Sequence, residues 1–529
     1  MWSPFRYPIC WAKVHGTTQT YPYSYIDHLY EVPRMKSSFR ATALLSSSSI
    51  VSVLVSLASA KVMALCIQPE GYGYYGLLQS FVAVASLLAG MGMATGLVRM
   101  GAGAVTRNEM ATIACLRRAS WLIFAVAGSL AMVVLCAFRT RLSQIVLGVP
   151  DHGDTIILMG IALLFTVAGN IQVGTLNAYH RVAALAKYGV ANTLLSTGIS
   201  IAAVLIWRVR GIGIAVLGGA IASWIVSYYF LQRDVEKTGA GGSFRETLDA
   251  AWSLIRFGGP YTASMFVGTG IQLVLPIVVL HLLNAESVGY YRAAAAISVG
   301  YLGFLVTAMG QDYFPRVSAA AEQPAQLVNL INAQHRLVML VAVPMILGTL
   351  ALVPYMVPLI YSLKFGATVA ILEWQLIGDL FKFASWTMSF AILARATPST
   401  YFLVECIGGL STLGTTWLSV KWFGLPGLGI GFLATYAVYY CVVSVVIRRE
   451  VAFRWTSANK WMMSAGVTAA LVIRILPATR FANARTVVAL GLALAAGIPS
   501  LIVLWREFLT TTENEGLPAT SAEQPAPSL

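Results

Sequence analysis

An all-α, polytopic membrane protein with about 14 transmembrane helices is what this sequence predicts, and three observations carry the prediction. Of 529 residues, 58% are apolar and only 11% are charged, against about 25% charged in an average soluble protein. The apolar residues gather into runs of about 20, the length that crosses roughly 30 Å of hydrocarbon. The basic residues, which set the net charge at +14, fall mostly between those runs. A soluble domain of this length would need far more polar surface over its core, so a large soluble catalytic domain is excluded. Basic residues placed this way speak for membrane topology, and against nucleic acid as a partner.

The segments lie near 41–66, 72–98, 119–138, 155–178, 184–207, 211–231, 258–283, 287–313, 337–360, 369–394, 400–420, 425–447, 461–477 and 486–505. The thirteenth is short and contains Arg474. All are read as helices, because an apolar run satisfies its own backbone in lipid only in that form. With the N-terminus inside, 23 Lys and Arg fall on the cytoplasmic side and nine outside, while Lys61, Arg292 and Lys382 lie within spans. That asymmetry places both termini in the cytoplasm. Residues 1–36 form a cytoplasmic extension with no apolar h-region, so they are not a signal peptide. Met35, followed by KSSFRATALL, reads like a natural start directly before the first span. Residues 510–529 are polar and Pro-rich and are expected to be a disordered tail.

The sequence repeats itself at an ungapped offset of 216 residues. Pro69-Glu-Gly-Tyr-Gly-Tyr-Tyr75 aligns with Ala285-Glu-Ser-Val-Gly-Tyr-Tyr291, and eight of 30 residues agree between 47–76 and 263–292. Further on, Gly211, Gly213 and Ile214 match Gly427, Gly429 and Ile430, and Arg233 matches Arg449. Each repeat holds six helices, an even number, so both enter the membrane in the same sense. This parallel repeat implies two lobes about an axis along the membrane normal, with a cleft between them. The expected units are a first lobe at 37–233, a cytoplasmic linker at 234–256, a second lobe at 257–449 and two additional helices at 450–509.

The six cysteines are scattered without a CxxC spacing, and the six histidines form no HExxH cluster. No metal site, cofactor or catalytic constellation is expected. The longest outer loop, Arg139 to Asp154, lacks what a membrane glycosyltransferase or polymerase would need, so an enzyme is not expected. Ionisable groups in mid-membrane are costly and are functional candidates by default. The first lobe has Lys61. The second has Arg292, Glu373, Asp379, Lys382 and Glu405. Lys61 and Arg292 sit near an outer helix end, where they either snorkel to headgroups or face the cleft and neutralise a phosphate. Asp379 and Lys382 are three apart on one helical face and can pair. Glu405 is either a coupling site or an interfacial residue.

Trp374-Gln375-Leu376-Ile377-Gly378-Asp379-Leu380-Phe381-Lys382, followed by Ser385-Trp386, resembles the WQ-x-x-GD-x-x-K-x-x-SW pattern of O-antigen and enterobacterial-common-antigen flippases. Gly289-Tyr290-Tyr291, Tyr301-Leu302-Gly303, Tyr313-Phe314-Pro315-Arg316 and Gln68-Pro69-Glu70-Gly71-Tyr72-Gly73 look like the same group. These proteins belong to the superfamily of multidrug, oligosaccharidyl-lipid and polysaccharide exporters. The resemblance implies movement of an undecaprenyl-diphosphate-linked oligosaccharide from the inner to the outer leaflet of the bacterial plasma (inner) membrane by alternating access. It implies a cationic cavity, for which Lys61, Arg292 and Lys382 are the candidates, with Asp379, Glu373 and Glu405 as orienting or coupling acids. A polysaccharide polymerase and a chain-length regulator are the implied partners, beside membrane lipids. The alternative is an ion-coupled drug antiporter of the same superfamily. It is disfavoured because the first lobe offers a lysine and no acid for a cationic substrate.

Overall fold

The structure, a computed structural model, describes residues 35–235, 243–476 and 482–516. The expected extension up to Arg34 and the tail beyond Gly516 lie outside the described residues. Among those described, all regular structure is helical. In chain order the helices are α1 (Met35–Gly90), α2 (Met93–Thr106), α3 (Met110–Ala137), α4 (Arg139–Leu147), α5 (Gly153–Ala178), α6 (Val182–Trp207), α7 (Ile212–Asp234) and α8 (Phe244–Leu282). They continue with α9 (Ala285–Ala308), α10 (Phe314–Ala319), α11 (Pro324–Ile360), α12 (Thr368–Arg395), α13 (Pro398–Phe423), α14 (Gly427–Val451), α15 (Ser457–Ile475) and α16 (Ala482–Gly516). Nine helical stretches among the described residues are long and apolar enough to cross a membrane. Two of them, Val51–Gly90 and Val182–Asp234, have 40 and 53 residues. At 1.5 Å per residue, each is long enough for two crossings of roughly 30 Å.

Several boundaries differ from the sequence reading, each for a local reason. The first two spans are joined through a sharp kink at Gln68 (φ 60), just before Pro69. The second span is itself broken at Met91 (φ 44) and Gly92 (φ 69). Gly92 there touches the backbone of Gly258 on α8: a Cβ on Gly92 would lie 2.3 Å from the Gly258 carbonyl oxygen. Only glycine tolerates both that approach and that φ. Much of the linker expected at 234–256 is helical from Phe244, continuous with the following span. Ser243 and Glu246 form a capping box at its start, a signal present in the sequence. The segment 139–154, expected as an outer loop, carries α4 and is not an open loop. The last helix runs on to Gly516, so the first residues of the expected tail continue it; extending an existing helix needs no new nucleus.

Two apolar cores organise the bundle. One gathers Ile123 of α3, Met159 and Leu163 of α5 and Ala215 of α7; the other gathers Met339 of α11, Leu376 and Phe383 of α12 and Val443 of α14. The last two helices dock on the second core. Gly466 of α15 lies against Val343, and Gly497 of α16 against Pro344.

Candidate functional site

Besides the packing of α8 on α1, α2 and α3, the two sets of helices meet where α1 crosses α9, at the end that the charge asymmetry assigns to the outside. A Cβ on Gly73 would fall 2.3 Å from the carbonyl oxygen of Ala285, and one on Gly289 would fall 1.9 Å from that of Pro69. The two contacts map onto each other under the 216-residue offset. Glycine at both positions lets the backbones touch. One turn on, the Arg292 guanidinium donates to the carbonyl of Gly76 at 2.7 Å and to the hydroxyl of Ser80. Lys61 of α1 donates to the carbonyl of Pro358 at 3.0 Å. That carbonyl is among the last four of α11, which lack helical partners and carry the negative end of the helix dipole. Between these two cations lies an aromatic seal. The Tyr72 ring meets Tyr361 at 5.6 Å and Phe365 at 5.8 Å, and Tyr290 meets Phe365 at 6.1 Å. At the opposite end, Arg99 of α2 lies 4.5 Å over the ring of Phe257.

Within the second core, Asp379 is fully buried and accepts from Ser298 Oγ at 2.7 Å. Lys382 Nζ lies 3.4 Å from the same carboxylate and over the rings of Trp386, Phe432 and Tyr436 at 5.0, 5.6 and 5.7 Å. Close packing of α12 on α14 brings Phe432 and Tyr436 in, with Gly378 against Phe432 and Leu433. Glu373, one helical stretch away, turns outward from this pair. It binds Arg474 of α15 at 3.1 Å and Arg485 of α16, and Arg474 also lies 5.2 Å over Trp374. Glu405 of α13 accepts from the Tyr439 hydroxyl at 2.7 Å and faces a cavity of about 370 Å³ shared with Gln272, Tyr291 and Tyr436.

The six candidate residues therefore do not converge. Lys61 and Arg292 share the junction, Asp379 and Lys382 pair inside the second core, Glu373 holds the last two helices, and Glu405 lines a cavity. Glu373→Ala would leave two partly buried arginines without their shared carboxylate. Breaking a buried pair in this way costs about 3–5 kcal/mol. The expected result is a clear drop in melting temperature and easier proteolysis between α15 and α16; wild-type melting would show that the clamp adds nothing. Charge alone also does not point to a cavity of about 600 Å³ between α1, α5, α6 and α7. Its wall sets hydroxyl and amide side chains among small apolar ones. The signal was present as Asn192, Ser196 and Ser200, spaced by four along one face of α6.

Two helical lobes in contact at a glycine crossing, with polar cavities inside the apolar bundle, define a multi-pass membrane transporter. The chain belongs to the family of polysaccharide biosynthesis proteins, which it matches over residues 62–370. It is 22% identical over 426 residues to the Lipid III flippase of Escherichia coli (strain K12), covering 78% of this chain and 99% of that protein. Its fold resembles that of Lipid II flippase MurJ in an inward closed conformation, with a TM-score of 0.66 at 12% identity over 88% of this chain and 100% of the other. An inward-facing multidrug resistance MATE family transporter of the MOP superfamily matches at a TM-score of 0.59 and 16% identity, over 79% of this chain and 99% of the other.

Proposed function

We propose that the protein moves an undecaprenyl-diphosphate-linked oligosaccharide from the cytoplasmic to the outer leaflet of the bacterial inner membrane, for surface polysaccharide synthesis. The observation that carries this reading is the match to a lipid-linked oligosaccharide flippase along 99% of its length. Both termini are cytoplasmic, and the two lobes part and rejoin at the α1–α9 junction during the cycle. In this reading Lys61 and Arg292 hold the outer end closed through their carbonyl partners. When that end opens they lose their carbonyl partners and face the cleft, where they attract the diphosphate. Burying that anion unpaired would cost several kcal/mol or more. Lys382, oriented by Asp379, is the third cation of the path. Glu405 faces a cavity with no cation paired to it among the described residues, and takes the coupling role. The work is translocation and not bond-making, and the polymerase and chain-length regulator act on its product.

Purified protein in liposomes tests this against the antiporter reading. With fluorescent undecaprenyl-diphosphate trisaccharide on one leaflet, the glycan is expected to reach a lectin on the other side far faster than in protein-free liposomes. Ethidium is expected to stay where it was loaded. Transport of ethidium with no movement of the glycan would establish the antiporter.

A further inference from the structure

The cavity of about 600 Å³ in the first lobe borders the closure described above through Tyr72 and otherwise has no part in it. Its volume falls within the roughly 300–1,000 Å³ of small-molecule sites. None of the residues lining it is charged. Polar side chains inside a membrane span are costly unless they are used. Several of these spend their protons on helix carbonyls: Thr193 on Gly189 at 2.8 Å, Thr166 on Ala162 at 2.8 Å and Ser200 on Ala215 at 3.1 Å. Their oxygens still have capacity to accept. The Asn192 Oδ1 atom is enclosed and has no hydrogen-bond partner among the described residues. The wall thus offers acceptors together with the amide donors of Gln79 and Asn192, beside the ring of Tyr75. Its complement is a neutral ligand rich in hydroxyls, which both donate and accept, with an apolar C–H face, which describes a sugar ring. A phosphate would find no cation here.

The repeat sharpens the argument. Shifted by 216, Asn192, Ser196, Val216, Ala220 and Ser223 become Gly408, Thr412, Phe432, Tyr436 and Tyr439, all of which line the second-lobe cavity. The duplicated fold thus places a cavity at the same point of each lobe. In the second lobe, aromatic rings and Glu405 take up the wall and the volume is about 370 Å³. The open, neutral character of the first cavity comes from its residues and not from the fold.

We infer that the first-lobe cavity selects the glycan of the transported lipid, with Asn192, Ser196 and Ser59 hydrogen-bonding sugar hydroxyls while the diphosphate is held elsewhere. The inference rests on the flippase reading. Its test is equilibrium binding by the purified full-length protein of two probes, bare undecaprenyl diphosphate and the same carrier bearing a trisaccharide. Wild type is expected to prefer the trisaccharide probe. The Asn192→Ala/Ser196→Ala double variant should bind that probe about tenfold more weakly, as the loss of two net hydrogen bonds predicts. Its unchanged affinity for the bare carrier would show that it is folded. A double variant that keeps the wild-type preference, or loses both probes alike, overturns the inference. Equal wild-type affinity for the two probes overturns it while leaving the flippase reading intact. Wild type that binds neither probe overturns both.

Discussion

Arg292→Glu is expected to bring transport down to the level of protein-free liposomes. The guanidinium is half-buried at the lobe junction and donates to Gly76 and Ser80 of α1. A carboxylate there is an acceptor facing a carbonyl oxygen. The substitution removes hydrogen bonds from a charged donor, worth about 1.5–3 kcal/mol each, and substitutes repulsion. It also reverses the sign of a cation proposed above to meet the diphosphate when the junction opens. Arg292→Lys should be intermediate, because lysine keeps the charge and loses the planar fork. Arg292→Met separates the two roles: it fills the space without charge, so it weakens the closure less than Glu does while removing the diphosphate partner entirely. Flipping of fluorescent lipid-linked trisaccharide in proteoliposomes measures all three. Wild-type rates for Arg292→Glu at equal incorporation would exclude Arg292 from both closure and path.

How much of this was legible depends on the physics of each feature. The spans were, because lipid leaves an apolar run one way to satisfy its backbone. The junction was nearly so. Gly73 and Gly289 are repeat mates, and so are Gly76 and Arg292. Residues close to a two-fold axis meet their own mates, so the strongest local match of the repeat, around 69–76 and 285–292, already marked the point of contact. The partners of Glu373 were not legible, since Arg474 and Arg485 belong to helices outside the repeat and reach it only through tertiary packing. The breaks at Met91 and Gly92 were equally hidden, because the glycine that demands them sits on another helix, at Gly258. The neutral cavity was overlooked because hydroxyls in a span cost little when they bond their own helix, and so attract less notice than a buried lysine.

Bridging the lobes covalently across the aromatic seal is expected to stop transport completely and reversibly. With Tyr72→Cys and Tyr361→Cys on a background lacking the native cysteines, a short bifunctional thiosulfonate should span the gap left by rings whose centres lie 5.6 Å apart. Each of the two aromatic pairs that Tyr72 makes across this seal contributes about 0.5–1.5 kcal/mol beyond burial, and the Lys61 hydrogen bond to Pro358 about 1.5–3 kcal/mol. The sum is several kcal/mol, enough to hold the end shut on average and small enough to be broken once per cycle. A covalent bridge cannot be broken by thermal motion. Transport by the bridged protein should therefore fall to that of protein-free liposomes and return when the reagent is reduced. Either single cysteine variant treated with the same reagent should keep its activity. Normal flipping by the bridged double variant would mean that α1 and the Tyr361 end of α11 never part, and opening of the lobes at this junction would have to be abandoned.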